Sequence, residues 1–138
     1  MNGKSEPKSE DPKPNNEGLS PLHIAVKSGH TKVIDALLQK GANINQKSPT
    51  NGITPLFLAA LQNNSEMVTF LLEKGADDQI EENRGYNPIH VASELGHVEV
   101  LEVFATFGSN LNCQTKQHGL TPLFVAILGR ISHAGNRK

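Results

Sequence analysis

One phrase returns four times along the chain: Gly18-Leu19-Ser20-Pro21-Leu22-His23, Gly52-Ile53-Thr54-Pro55-Leu56-Phe57, Gly85-Tyr86-Asn87-Pro88-Ile89-His90 and Gly119-Leu120-Thr121-Pro122-Leu123-Phe124, at spacings of 34, 33 and 34 residues. A second marker, Lys40-Gly41-Ala42-Asn43, Lys74-Gly75-Ala76-Asp77 and Phe107-Gly108-Ser109-Asn110, recurs at 34 and 33. Two markers in phase define a unit of that length. A unit so short cannot bury an apolar face alone, so successive units must stack and share one core.

The unit can be read from its own residues. Ser20, Thr54, Asn87 and Thr121 are good N-cap residues, each followed by a proline that fits the first helical position. A short first helix therefore begins at each proline and ends near Ser28-Gly29 in the first unit and Leu95-Gly96 in the third. A second helix is predicted over 31–40, 65–74 and 98–107, with apolar residues at helical spacing such as Val33, Ile34, Leu37 and Leu38, and stopped by Gly41, Gly75 and Gly108. The polar stretch before the next cap has the composition of an extended turn or hairpin.

These residues resemble the ankyrin repeat, whose signature is a threonine-proline-leucine-histidine phrase at a period near 33 residues. The resemblance covers roughly residues 16–138. It implies an all-α solenoid of helix-turn-helix pairs joined by β-hairpin-like loops, with repeats at approximately 18–47, 48–80, 81–113 and a partial fourth at 114–138. Residues 1–17, with Pro7, Pro12, Pro14 and mixed charges, read as a disordered tail. Asn63-Asn64 stands where the family has glycine-histidine, and asparagine tolerates the same left-handed turn. The fourth unit departs from the pattern after Ala126, as though cut off mid-repeat. Val125, Ile127, Leu128 and Ile131 then lack a covering helix, and the chain is expected to be part of a longer protein.

Composition narrows the function. With 20% charged residues and a formal net charge of -1, no global field draws the chain to nucleic acid. A single tyrosine provides no stacking platform. No apolar run approaches the roughly 20 residues that span a bilayer, so no membrane insertion is expected. The opening residues lack a secretory apolar run, and the only cysteine, Cys113, fits a reducing compartment. The expected location is intracellular, cytoplasmic or nuclear, and the expected state is monomeric. Catalytic, cofactor and metal residues are all expected to be absent. His23 and His90 occupy the signature position, where the resemblance implies bonds to backbone and cap; His30 and His97 sit at the interhelix turn. Asp77, Asp78, Glu81 and Glu82 read as a solvated acidic rim.

In ankyrin-like solenoids the hairpin tips and the exposed side of the first helix line a concave face where partners bind. Carried over by position, that face holds Leu19, Ile53, Tyr86 and Leu120 after the hairpin glycines, Leu61, Gln62, Glu94 and Leu95 on the first helices, and Arg84 at a tip. Ile53, Leu61, Tyr86 and Leu95 are expected to form an apolar patch with a polar rim, with Tyr86 and Arg84 as energetic anchors. The implied function is an adaptor or scaffold that binds another protein; the alternative is a recruiting module of a longer enzyme, channel or effector.

Overall fold

The computed structural model describes residues 19–135, with side chains through Arg130; the expected tail at 1–17 lies outside the described residues. Among the described residues seven helices follow one another: α1 (Pro21–Ser28), α2 (Thr31–Gln39), α3 (Pro55–Leu61), α4 (Ser65–Glu73), α5 (Pro88–Leu95), α6 (Val98–Thr106) and α7 (Pro122–Gly135). Each odd-numbered helix starts at a proline because the residue before it caps the helix. The side chains of Ser20, Thr54 and Asn87 accept from the backbone N–H groups of His23, Phe57 and His90. α1 and α5 close on a left-handed glycine, Gly29 and Gly96. In the second unit Asn63 takes that role, the one non-glycine residue with positive φ (59°) among those described.

The helices pair within units, α1 on α2, α3 on α4 and α5 on α6, and the first helices α1, α3, α5 and α7 stack in order. The result is a two-layer solenoid. Its core is a continuous cluster that includes Leu22, Val26, Ile34, Leu56, Val68, Leu71, Ile89, Val100 and Phe104. Burying each large side chain contributes about 1.5–3 kcal/mol, and no single unit could supply enough of them to fold alone.

One feature differs from the sequence reading. The first helix of the fourth unit is not short: α7 runs on for 14 residues, where the other first helices have seven or eight. Residues 127–135 contain no proline, and the next glycine, Gly129, lies inside the helix against α5, where an added Cβ would meet the carbonyl of Glu94. The loops are hairpins closed by a few turn bonds, and no residue among those described is in a strand.

Candidate interaction surface

Each hairpin is pinned by a side-chain oxygen four or five residues before its exit. Ser48 Oγ accepts from the N–H of Ile53 at 3.2 Å, Thr115 Oγ1 from Leu120 at 3.0 Å, and Glu82 Oε1 from Tyr86 at 3.1 Å. The backbone closes the same loops, with Ser48 N donating to Ile53 O, Thr115 N to Leu120 O and Glu82 N to Tyr86 O, each at 2.8 Å. The hairpin of the third unit, 82–86, is one residue shorter than its neighbours, which accounts for the spacing of 33 in both markers. The longer Glu82 side chain reaches where serine and threonine suffice elsewhere. Sequence reasoning missed these three pins. Their signal is a hydrogen-bonding side chain returning at the repeat period.

Glu82 also organises the tip. Its Oε1 accepts from Arg84 N at 2.6 Å and its Oε2 from Arg84 Nε at 2.8 Å. The Arg84 guanidinium lies 4.2 Å above the Tyr86 ring centroid and its Nη1 is 3.7 Å from Glu94 Oε1 on α5. Burial works against the Arg84 charge, but the Glu82 hydrogen bond and the two carboxylates outweigh it and hold the group above its ordinary range. Burial, with help from Glu94, raises the Tyr86 hydroxyl above its ordinary value. Arg84, Tyr86 and Glu94 are thus brought together on one unit, Arg84 exposed and the other two half-buried.

Neighbouring hairpins lock to one another. Asn83 N donates to Asn51 O at 3.0 Å and Asn83 Nδ2 to Thr50 O at 3.2 Å. The φ of Gly52 is 74°, which favours glycine at this turn, and a Cβ there would meet Asn83 Oδ1 at 2.5 Å and displace the amide that bonds Thr50 O.

The other expected groove residues fall into three groups. Leu61 and Gln62 are exposed at the end of α3, while Leu95 and Leu120 are half-buried, Leu95 packing against the core. Leu19 and Ile53 are buried at 3% and 7% exposure and are not on the surface. The physical reason is the stacking: the residue after the hairpin glycine turns inward, and the carbonyl of Ile53 accepts from His23 Nε2 of the preceding unit at 2.8 Å. The exposed patch is therefore narrower than expected, built from Leu61 and Gln62 beside the Arg84–Tyr86–Glu94 cluster.

His23 and His90 serve the framework. The N–H groups of Ser20 and Asn87 donate to Nδ1 of His23 and His90 at 3.3 and 3.0 Å, so each ring carries its proton on Nε2. That proton goes to Ile53 O from His23, and to Cys113 O and Leu120 O at 3.0 and 3.2 Å from His90. Burial lowers both imidazole pKa values. His97 Nε2 donates to Leu61 O at 3.2 Å, tying the third unit to the end of α3. Cys113 is buried. Its Sγ accepts from Asn87 Nδ2 at 3.2 Å, and burial pushes its thiol pKa up, away from the reactive thiolate.

The acidic loop is tied into the structure. Asp77 N donates to Asn45 Oδ1 at 2.9 Å, Asp78 accepts from the Ser109 hydroxyl, and Asp77 and Glu81 line an open cleft of about 490 Å³ together with Lys47 and Lys116. Carboxylates facing amines across an open cleft form a mixed polar surface. Among the described residues no group of three or more His, Cys, Asp or Glu is placed to hold a metal, and no helix is long and apolar enough to cross a membrane.

Comparison with known proteins matches this architecture. A family model described as ankyrin repeats in three copies matches residues 3–82, and a second, of ankyrin repeats in many copies, matches residues 71–126. Ankyrin repeat and SOCS box protein 3 of Bos taurus is 46% identical over 110 residues, 80% of this chain and 21% of that protein. The Homo sapiens protein of the same name is 44% identical over the same coverage. The crystal structure of the ankyrin repeat domain of Bcl-3, a member of the IkappaB family, superposes with a TM-score of 0.74 at 31% identity, over 80% of this chain and 48% of that one. The chain spans about a fifth of the length of the curated relatives it matches.

Proposed function

The chain belongs to the ankyrin repeat family, whose repeats generally mediate protein–protein interaction, and from that premise we propose that it is an adaptor that docks another protein on its concave face. The observation that carries the reading is the tip of the third hairpin. Arg84 is held over Tyr86 by Glu82 and Glu94, so a large amphipathic contact surface is fixed in place before any partner arrives. Prior ordering lowers the entropic cost of docking, and an arginine stacked on a tyrosine is the kind of group that anchors an interface. Exposed Leu61 and Gln62 on the neighbouring unit extend it with an apolar centre and a polar edge. Leu95 and Leu120 supply support beneath the surface, and Leu19 and Ile53 act from the core.

The reading assigns no catalysis, cofactor or nucleic acid to these residues, and places the chain inside the cell, in cytoplasm or nucleus. The test is capture of partners from cell extract, read by mass spectrometry, with the chain and its Leu61→Glu, Arg84→Ala double variant compared after circular dichroism has confirmed the fold of both. Both positions are exposed, so the variant is expected to fold. A protein retained by the original and lost by the variant supports the docking face; the same set on both, or nothing on either, overturns it.

A second reading makes these repeats the recruiting part of a longer protein whose chemistry or assembly lies in another domain. It is favoured by the curated relatives, which by name combine ankyrin repeats with a SOCS box and are about five times longer than the matched segment. The reading frame after Lys138 separates the two: a different domain there supports recruitment, a stop codon the free-standing adaptor.

A further inference from the structure

The tip that leads into Ile53 holds a pair of residues found at no other described tip. Asn51 is followed by Gly52, whereas every other described asparagine precedes a residue with a side chain, and Arg84 and His118 stand at the matching positions of the next two units. This pair sets an electrophile, the Asn51 amide carbon, beside a nucleophile, the Gly52 backbone nitrogen. Residue 52 has no β-carbon to hinder their approach. Asn51 is exposed, so water and hydroxide reach its amide. Ser48 Oγ donates to Asn51 Oδ1 at 2.7 Å, the atom on which negative charge would gather if the nitrogen added to Cγ. One contact opposes that addition: the Gly52 N–H donates to Ser48 O at 2.9 Å and is turned away from the amide while the tip is closed. That bond spans only the exposed tip residues Pro49, Thr50 and Asn51, and opening such a loop costs far less than unfolding the stack.

We propose that Asn51 is a site of spontaneous modification in the folded protein, where its side chain cyclises onto Gly52, loses ammonia and ends as aspartate or isoaspartate. Hydroxide takes the proton from the Gly52 nitrogen, the nitrogen bonds to Asn51 Cγ, and the Cγ–Nδ2 bond breaks. Nδ2 leaves as ammonia with a proton returned by water, and a five-membered succinimide remains. Water then opens that ring at either carbonyl. Cleavage between Cγ and the Gly52 nitrogen gives aspartate; cleavage between the Asn51 carbonyl carbon and that nitrogen gives isoaspartate. One water enters, one ammonia leaves, and nothing is oxidised or reduced. The isoaspartyl product lengthens the main chain by one carbon between Thr50 and Gly52. Asn83 is fixed there at three points: its Nδ2 donates to Thr50 O, its N–H to Asn51 O, and its side chain lies against Gly52. A longer path cannot keep all three, so the change on one unit loosens the lock to the next, directly beside Arg84.

The test is to age the full chain at body temperature in neutral and in mildly alkaline buffer, with and without urea, and to follow each asparagine by peptide mapping and tandem mass spectrometry. Site-resolved fragments separate Asn51 from Asn63 and Asn64, which share its tryptic peptide, and from Asn2-Gly3, which lies outside the described residues. In native buffer the Asn51 amide is expected to be lost at least about tenfold faster than that of any other described asparagine, faster still in the alkaline buffer, and to yield both acids. In the aged protein the Asn83 amide hydrogen is expected to exchange faster than in fresh protein, and an Asn51→Gln chain aged alongside is expected to show no such change. Loss of the Asn51 amide only in urea, an equal or earlier change at another described asparagine, or a rate that does not rise with pH overturns the proposal. So does unchanged Asn83 exchange in a sample whose residue 51 is mostly isoaspartate, or the same acceleration in the Asn51→Gln chain.

Discussion

Buried imidazoles give the molecule a pH dependence at the scale of single residues. In His23 and His90 the Nδ1 atom accepts a backbone N–H, so a proton added there meets a donor instead of a lone pair. Burial lowers both pKa values below the ordinary 6.5. The unfolded chain then binds protons more readily than the folded one. The stability contributed by the neutral rings is full above that ordinary value and declines as pH falls through it toward the lower folded values. Urea midpoints are expected to drop between about pH 7.5 and pH 5, with a shallower slope in the His23→Phe, His90→Phe variant, since Phe57 already fills this position in the second unit. Glu82 allows a second residue-scale prediction. Glu82→Ala leaves the N–H groups of Arg84 and Tyr86 without their acceptor and is expected to cost about 1–3 kcal/mol, while Glu81→Ala stays within about 0.5 kcal/mol; equilibrium urea unfolding distinguishes them. The histidine positions were legible because the repeated phrase displays them. Leu19 and Ile53 were not, since apolar character alone does not tell which side of a hairpin turns inward.

Among the elements, the first three helix pairs were legible nearly to the residue. Caps, prolines and stop glycines are local signals, and each helix obeys them. α7 is longer than the short first helix expected of each unit, because residues 123–135 contain no proline to stop the helix once Pro122 has started it. Asn87 does more than cap α5, since its amide also donates to Cys113 Sγ. Asn87→Ala is expected to cost about 1–2 kcal/mol, read as a fall in the thermal midpoint. Gly129→Ala is expected to be as damaging, at about 1–3 kcal/mol, because its new methyl group meets the Glu94 carbonyl. Amide exchange should then accelerate in α7 first; protection lost uniformly across all helices would argue against that contact as the cause.

Over the whole molecule, stability should be highest where units are covered on both sides. Nearly every residue of α3 and α5 is buried, whereas α7 leaves one side bare. Native-state hydrogen exchange is therefore expected to be slowest in α3 and α5 and fastest in α7; equal protection in all three would contradict the description of the stack. The solenoid itself was legible because its period is written in the sequence, while the exposure of one side of α7 depends on which neighbours are present. The bond from His23 Nε2 to Ile53 O has a further consequence, for how such a chain can change its length. Because one unit reaches into the hairpin of the next at a fixed atom, an insertion between Gly41 and Ile53 must bulge outward at the tip or forfeit that bond. A duplicated first or third unit, by contrast, carries its own imidazole, His23 or His90, and its own carbonyl. Such whole units can thus be added or lost while that bond is preserved, whereas fractions of one carry a penalty.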